Sequence, residues 1–466
     1  MKFPEDFVWG AAAASYQIEG GVSADGKGLS VWDMMCRQPN RIFGAHTGDN
    51  AIEHYQRYVE DVALMNKMGL QAYRFSISWP RVLPMGVGSV NEKGLSFYDR
   101  LVDELLASGI EPYVTLFHWD FPYDLYCRGG WLNPQSSEWF AEYTEVIVDR
   151  LSDRVLNWMT LNEPQIYIGL GMLEGVHAPG DKLGLTEVLR AGHNTLLAHG
   201  RAVQVIRAYS KSDSVIGYAP TGTIVMPDDE TDEELVEVAR KEMFSIKTKT
   251  CWNISWWSDP VTLGMYPEDG LELYADEMPS VDVRDFDIIK QPLDFYGANI
   301  YNGWTLGRDK EGNIKPVERV QGNAICANKW PVTPKALYWG PRYYFERYGL
   351  PIIVTENGLS NQDWVSLDGC VHDPQRIDFT QRYLMEFSRV GKDVPIKGYF
   401  HWSIFDNFEW AEGYKERFGM IYVDYETQKR ILKDSAHWYT KVINSNGETL
   451  SDFVQNTAES NEHLFL

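Results

Sequence analysis

Positive charge is what this sequence is short of. Against 66 Asp and Glu stand only 43 Lys and Arg, giving a net charge of −23 and a pI near 4.9. Such a surface repels nucleic acid and anionic membranes, because phosphate binding depends on Lys and Arg neutralising charge. Cysteine is scarce too. The five cysteines (Cys36, Cys127, Cys251, Cys326, Cys370) include no C-x-x-C pair and are odd in number, which argues against a disulfide framework and fits reduced, buried thiols in a cytoplasmic protein. No run approaches the roughly 20 apolar residues needed to span a bilayer. The segment Met1 to Phe7 has no apolar signal core, which adds to the cytoplasmic expectation. The ten histidines contain no H-x-x-x-H or H-E-x-x-H spacing, so neither metal nor other cofactor is expected. A small neutral substrate remains as the natural partner; the oligomeric state stays open.

What is present is an alternation. Strand-like apolar runs at 7–16, 72–78, 112–117, 155–161, 215–219, 294–300, 351–355 and 396–402 are separated by helical periodicity at 49–68, 91–108, 136–152, 185–209, 232–249, 335–348, 373–390 and 430–443. Strands alternating with helices in this way predict parallel βαβ units. Asp49 or Asn50 is expected to cap the first helix and Gly69 to follow its end. Periodicity alone does not say whether the sheet closes. A doubly wound open sheet would fit equally, except that no G-x-G-x-x-G follows the first strand. Segments 303–334 and 403–429 read as long loops following strands.

Two of the strands carry the same device. Ile352 to Val354 runs into Thr355-Glu356-Asn357, with Gly358 suited to a sharp turn. Val155 to Leu161 runs into Asn162-Glu163-Pro164, where the proline biases Glu163 away from helix. A glutamate at a strand end is ordinarily a solvated loop residue, but two of the same design suggest a pair facing one pocket. Other polar residues fall at strand ends as well: Gln17, Arg74, His118 (followed by Trp119), Asn299, Tyr301 and Trp402.

Thr160-Leu-Asn-Glu-Pro164 and Val354-Thr-Glu-Asn-Gly358 resemble the two signature segments of the glycoside hydrolase family 1 β-glucosidases, and the likeness runs over roughly residues 3 to 445. The resemblance implies a single-domain (β/α)8 TIM barrel over 1–445, with a tail at 446–466 whose apolar end, Leu464-Phe465-Leu466, either is flexible or docks on a neighbour. Function then collects on the loops after the strands. It implies a retaining β-glycosidase acting on short β-glucosides, with some β-galactoside or β-fucoside activity, in which Glu163 is the acid/base and Glu356 the nucleophile. Arg74, Asn299 and Tyr301 would support the pair, with Arg74 and Tyr301 acting on Glu356. Asn162 would bind the sugar 2-hydroxyl, Gln17 and His118 the 3- and 4-hydroxyls, and Glu409 and Trp410 the 3-, 4- and 6-hydroxyls. Trp402 would floor the ring, Trp119 would join the substrate-binding set, Trp330 would line the leaving-group side and Phe418 would lie near C6. Many family members have Trp-Cys after Asn-Glu-Pro where this chain has Gln165-Ile166, so Gln165 is expected at the entrance beyond the first sugar. Glu19 and Glu412 read as structural or rim residues, and Asp120 and Asp406 as loop-fixing partners. Two alternatives remain at this level: a non-catalytic sugar-binding relative, and a 6-phospho-β-glucosidase, for which Lys415 is the suggestive residue.

Overall fold

The computed structural model describes residues 2–451. Eight parallel strands close on themselves: β1 Val8–Ala13, β2 Ala72–Ser76, β3 Glu111–Phe117, β4 Asn157–Asn162, β5 Val215–Ala219, β6 Phe295–Asn299, β7 Ile352–Asn357 and β8 Ile396–Trp402. Each pairs with its neighbours in sequence, and β8 returns to β1 through the register Val8 opposite Gly398 to Ala12 opposite Trp402. The closed (β/α)8 barrel is thus the architecture, and the open sheet is set aside. The strands are buried on both faces, which is why they read as near-continuous apolar runs rather than alternating ones.

The helices that cover the barrel follow the expected periodicity closely at Glu92–Ala107, Ser136–Leu151, Leu185–Tyr209, Ala336–Tyr348 and Pro374–Val390. Four places differ. The first long helix starts at His54, not at 49, after a left-handed Glu53 with no side-chain cap. The residues around its start are instead tied to the short helix Ser15–Ile18 after β1, through Ile52 N–H to the Ile18 carbonyl (3.2 Å) and Tyr55 N–H to that of Glu19 (3.1 Å). The helix expected at 232–249 stops at Phe244, and 430–443 divides into a strand Arg430–Leu432 and a helix Asp434–Asn444. The loop after β6 carries its own strands: Gly303–Arg308 pairs with Ile224–Pro227 and Ile314–Pro316.

Cys36, Cys251 and Cys326 are buried free thiols, whereas Cys127 and Cys370 are exposed, against the expectation that all five are buried. Asn446, just past the helix Asp434–Asn444, ties that helix's end to the first strand and the residues before it, accepting from the Trp9 indole (2.9 Å) and donating to the Phe3 carbonyl (3.0 Å). Leu450 is buried, while Leu464-Phe465-Leu466 lies outside the described residues. Among the described residues no helix is long and apolar enough to cross a membrane, and no cluster of His, Cys, Asp and Glu could hold a metal ion.

Candidate active site

At the carboxyl ends of the strands lies a cavity of about 510 Å³, with Glu163 and Glu356 both in its lining. Glu163 follows the last residue of β4, and its N–H bonds the Ala219 carbonyl of β5 at 2.9 Å. Its backbone sits at φ +47°, the left-handed region that few non-glycine residues adopt. Glu356 lies inside β7. Gly358 serves a close approach rather than a left-handed turn: a Cβ there would fall 1.8 Å from the Trp402 carbonyl oxygen. Glycine therefore lets β7 and β8 meet beside the site.

The two carboxylates have different partners. Arg74 Nη1 donates to Glu356 Oε1 at 2.7 Å, and Tyr301 OH donates to its Oε2 at 2.7 Å. Glu163 Oε1 receives the amide of Asn299, at 2.8 Å. Thr355 Oγ1 donates to Asn299 Oδ1 (2.6 Å) and so fixes which way that amide points. Burial, reinforced by the charge of Glu356, pushes Glu163 up to about 8. Burial raises Glu356 as well, but Arg74 and Tyr301 oppose it by stabilising the ion. In this coupled pair the charge therefore rests on Glu356 and the proton on Glu163.

Asn162 joins the pair to the rest of the wall. Its Oδ1 accepts from Arg74 Nη2 (2.6 Å) and Asn299 Nδ2 (3.0 Å), so its own Nδ2 faces His118 Nε2 at 3.0 Å and donates to it. The remaining proton of His118 is then on Nδ1. Burial and Arg74 hold its pKa well below the usual value, and the ring stays neutral. His118 is stacked against Trp402 at 5.5 Å and 24°. Trp119 is held at φ +82° with its indole N–H on the Asn162 carbonyl (2.8 Å), and it packs on Trp410 at 4.5 Å. His118, Trp119, Trp402 and Trp410 line the cavity, as do Tyr301, Glu409 and Phe418, while Asn162, Arg74 and Asn299 do not. Trp330, 39% exposed, stands at the rim 5.1 Å from Tyr301.

Gln17 is wholly buried and stands behind Glu409, donating to the Phe408 carbonyl (2.8 Å) and to Glu409 Oε2 (3.3 Å). Glu409 itself is pushed up to about 8 by burial and by the charges of Glu356 and Glu416. Gln165 is the residue the structure moves. It is 1% exposed, its amide donates to the Thr221 carbonyl (2.8 Å), and it lies behind the cavity wall rather than at the entrance. The wall on that side is made by Ile166, Leu170, Thr221, Thr223 and Trp252. Sequence reasoning missed these. Thr221 had a usable signal, since it closely follows β5 as the other site residues follow their strands, but no motif marks Trp252.

The residues judged structural are engaged elsewhere. Glu19 accepts from Arg81 (2.8 Å) and Tyr98 (2.7 Å), Ser15 donates to Asp120 (3.1 Å), and Asp406 takes Arg417 (2.6 Å) and Lys433 (2.7 Å). Glu412 lies on the cavity rim and pairs with Lys415, which also sits 3.5 Å from Glu416.

A closed barrel with two buried, differently partnered carboxylates in one cavity at its carboxyl-end face defines the class, and sequence comparison agrees. The chain belongs to glycosyl hydrolase family 1, whose model matches residues 1–448. Beta-glucosidase A of Thermotoga maritima is 44% identical over 448 residues, covering 96% of this chain and 98% of that one. A 1,4-beta-D-glucan glucohydrolase of Thermotoga neapolitana is 43% identical, covering 96% and 99%. A solved structure of the Thermotoga maritima beta-glucosidase in complex with glucoimidazole superposes with a TM-score of 0.87, over 96% of this chain and 99% of that chain.

Proposed function

We propose that the chain is a retaining β-glucosidase that removes the terminal non-reducing β-D-glucosyl residue from short β-glucosides, with some activity on β-galactosides or β-fucosides. In the first step a Glu356 oxygen attacks the anomeric carbon while Glu163 gives its proton to the leaving oxygen. The glycosidic C–O bond breaks and a glucosyl ester forms on Glu356. That ester carries no charge, so the field that kept the proton on Glu163 is gone. Glu163, now ionised, takes a proton from water, the water attacks the anomeric carbon, and the bond to Glu356 breaks. Two displacements restore the β configuration.

The observation that carries this assignment is the asymmetry of the pair: two donors at 2.7 Å on Glu356 and one neutral amide on Glu163. Asn162, held by Arg74 and Asn299, is proposed to meet the sugar 2-hydroxyl, where contacts strengthen towards the transition state. His118, Trp119, Trp402, Glu409, Trp410 and Phe418 are proposed to enclose the glucosyl ring, with Gln17 acting through Glu409 and Trp330 at the outer rim. Indole faces suit the C–H face of a pyranose, and the few polar groups set its orientation. The phosphorylated-sugar reading is not favoured: Lys415 is taken up by Glu412 and Glu416. Neither is the non-catalytic one, since both carboxylates are present and tuned apart. We further propose one barrel domain over 1–445 followed by a tail, and a cytoplasmic location, on the free thiols.

Release of 4-nitrophenol from 4-nitrophenyl β-D-glucoside tests the activity. Turnover is expected, and its absence in folded protein would overturn the reading.

A further inference from the structure

Behind Trp119 lies a second cavity, of about 430 Å³, that neither Glu163 nor Glu356 touches. Interior voids larger than a water molecule are few in any domain, so one of this size calls for an occupant. Three features divide it from the catalytic cavity. Trp119 lines both; the π-helix Gln165–Leu173 turns Ile166 and Leu170 to the catalytic side and Tyr167 and Met172 to the other; and in the following loop His177 lines the first cavity while Ala178 and Pro179 line the second.

The walls are aromatic. Phe117, Phe121, Trp131 and Tyr167 are all buried and join Trp119 there, Phe117 meeting Trp131 at 5.4 Å and 82° and Tyr167 at 5.0 Å and 83°. Exposed Cys127 and Gly129 and half-buried Asp181 mark the mouth. Asp181 Oδ1 accepts from Tyr126 OH at 2.8 Å, and an ionised carboxylate bonded once keeps room for a further donor. Arg41, bonded to the neighbouring Gly180 carbonyl at 3.2 Å, already supplies a cation beside it.

We infer that this cavity is an effector site for a flat, neutral aromatic alcohol of one or two rings, which stacks among the aromatic walls, donates its hydroxyl to Asp181 and acts on the catalytic cavity from behind Trp119. The site goes beyond the β-glucosidase reading; only its effect on the catalytic cavity rests on that reading. The volume falls in the usual range for small-molecule pockets, about 300–1,000 Å³. A sugar would leave most of its hydroxyls unpaired against five aromatic side chains, and an anion would meet Asp181. Trp119 is held at φ +82° and packs on Trp410 at 4.5 Å on the catalytic side, while its other side borders the void. A ring filling that void fixes the indole where the catalytic wall needs it. Effector and glucose therefore tighten each other's binding, by the same factor.

Equilibrium dialysis of the full chain at neutral pH against 2-naphthol, 2-methoxynaphthalene, 2-naphthoate and 2-(aminomethyl)naphthalene tests the site. One equivalent of 2-naphthol should bind, at least about tenfold more tightly than the methoxy compound, which lacks the donor to a charged acceptor. Asp181→Ala should erase that difference. Cys127→Trp at the mouth and Leu183→Trp in the wall should abolish binding while leaving turnover of 4-nitrophenyl β-glucoside intact. Binding that survives both plugging variants, a preference for the anion or the amine, or no binding to folded protein would overturn the site. Saturating glucose should tighten 2-naphthol severalfold, and 2-naphthol should lower the KM for cellobiose in the unaltered enzyme but not in Cys127→Trp. Displacement by glucose, or no effect in either direction in an enzyme that turns over, would overturn the effector role. Failure on every β-glucoside would strike the glucosidase reading instead, and the dialysis result would stand apart from it.

Discussion

Arg74 holds Glu356 and Asn162 with the two ends of one guanidinium: Nη1 is 2.7 Å from Glu356 Oε1 and Nη2 is 2.6 Å from Asn162 Oδ1. Asn162 immediately precedes Glu163, so one buried side chain on β2 holds one carboxylate directly and the residue next to the other. Its planar fork is what allows this, and lysine would supply the charge without the geometry. Removing Arg74 would also leave a buried carboxylate uncompensated, a change that costs about 3–5 kcal/mol.

Glu356→Ala should lower kcat by several orders of magnitude. Azide should then restore turnover by occupying the vacated face and give the α-glucosyl azide. Glu163→Ala should still form the glucosyl ester from substrates with good leaving groups, and azide should give the β-glucosyl azide. NMR of the two products distinguishes them, and one and the same anomer from both variants would reverse or abolish the assigned roles.

The pH profile of kcat/KM should be bell-shaped, with Glu163 on the basic limb. Its pKa of about 8 is a raised value, so the required protonated form is present below pH 8 and is lost as pH rises through it. Glu356→Gln removes the neighbouring charge and should lower the Glu163 pKa. Titration of carbon-labelled glutamates checks this; an unchanged Glu163 titration would exclude the electrostatic account.

Gln165→Trp inserts a large ring where a buried amide bonds the Thr221 carbonyl. Overpacking of this kind costs about 1–3 kcal/mol. The thermal midpoint should fall, with aryl glucoside and cellobiose affected alike. A change confined to cellobiose would put this side chain back at the entrance.

Unphosphorylated substrate should be favoured over 4-nitrophenyl β-glucoside 6-phosphate by at least about a hundredfold in kcat/KM, or roughly 2.7 kcal/mol. Glu409, at about 8, is largely protonated at neutral pH, so the discrimination should widen as pH rises through 8 and this carboxyl ionises. Comparable efficiencies, or a preference for the phosphate, would overturn the place given to Glu409.

Much of this was legible because both levels of pattern agree. Strands such as Ile352–Asn357 open on an unbroken apolar run and end in polar residues, among them Glu356, which lines the cavity. Glu163, Glu356, Arg74 and Tyr301 could be named from strand ends and motif resemblance. The start of the helix at His54 was not legible, since the carbonyls of Ile18 and Glu19, distant in sequence, claim the N–H groups of Ile52 and Tyr55. Nor was the π-helix at Gln165–Leu173, which follows a proline expected only to end a strand. That turn decides that Ile166 and Leu170 line the cavity while Gln165 does not. Trp252 lies in an irregular loop, where no periodicity tells an exposed indole from a packed one.

Glu356 is the residue that carries the sugar between the two displacements, and covalent trapping reads this on the protein itself. Incubation with an activated 2-deoxy-2-fluoro-β-glucoside should form the ester and slow its breakdown, because the electronegative fluorine destabilises both transition states while a good leaving group sustains the first. Peptide mass spectrometry should then place one fluoroglucosyl group on Glu356. The label on Glu163, or full inactivation with no covalent adduct, would contradict the account.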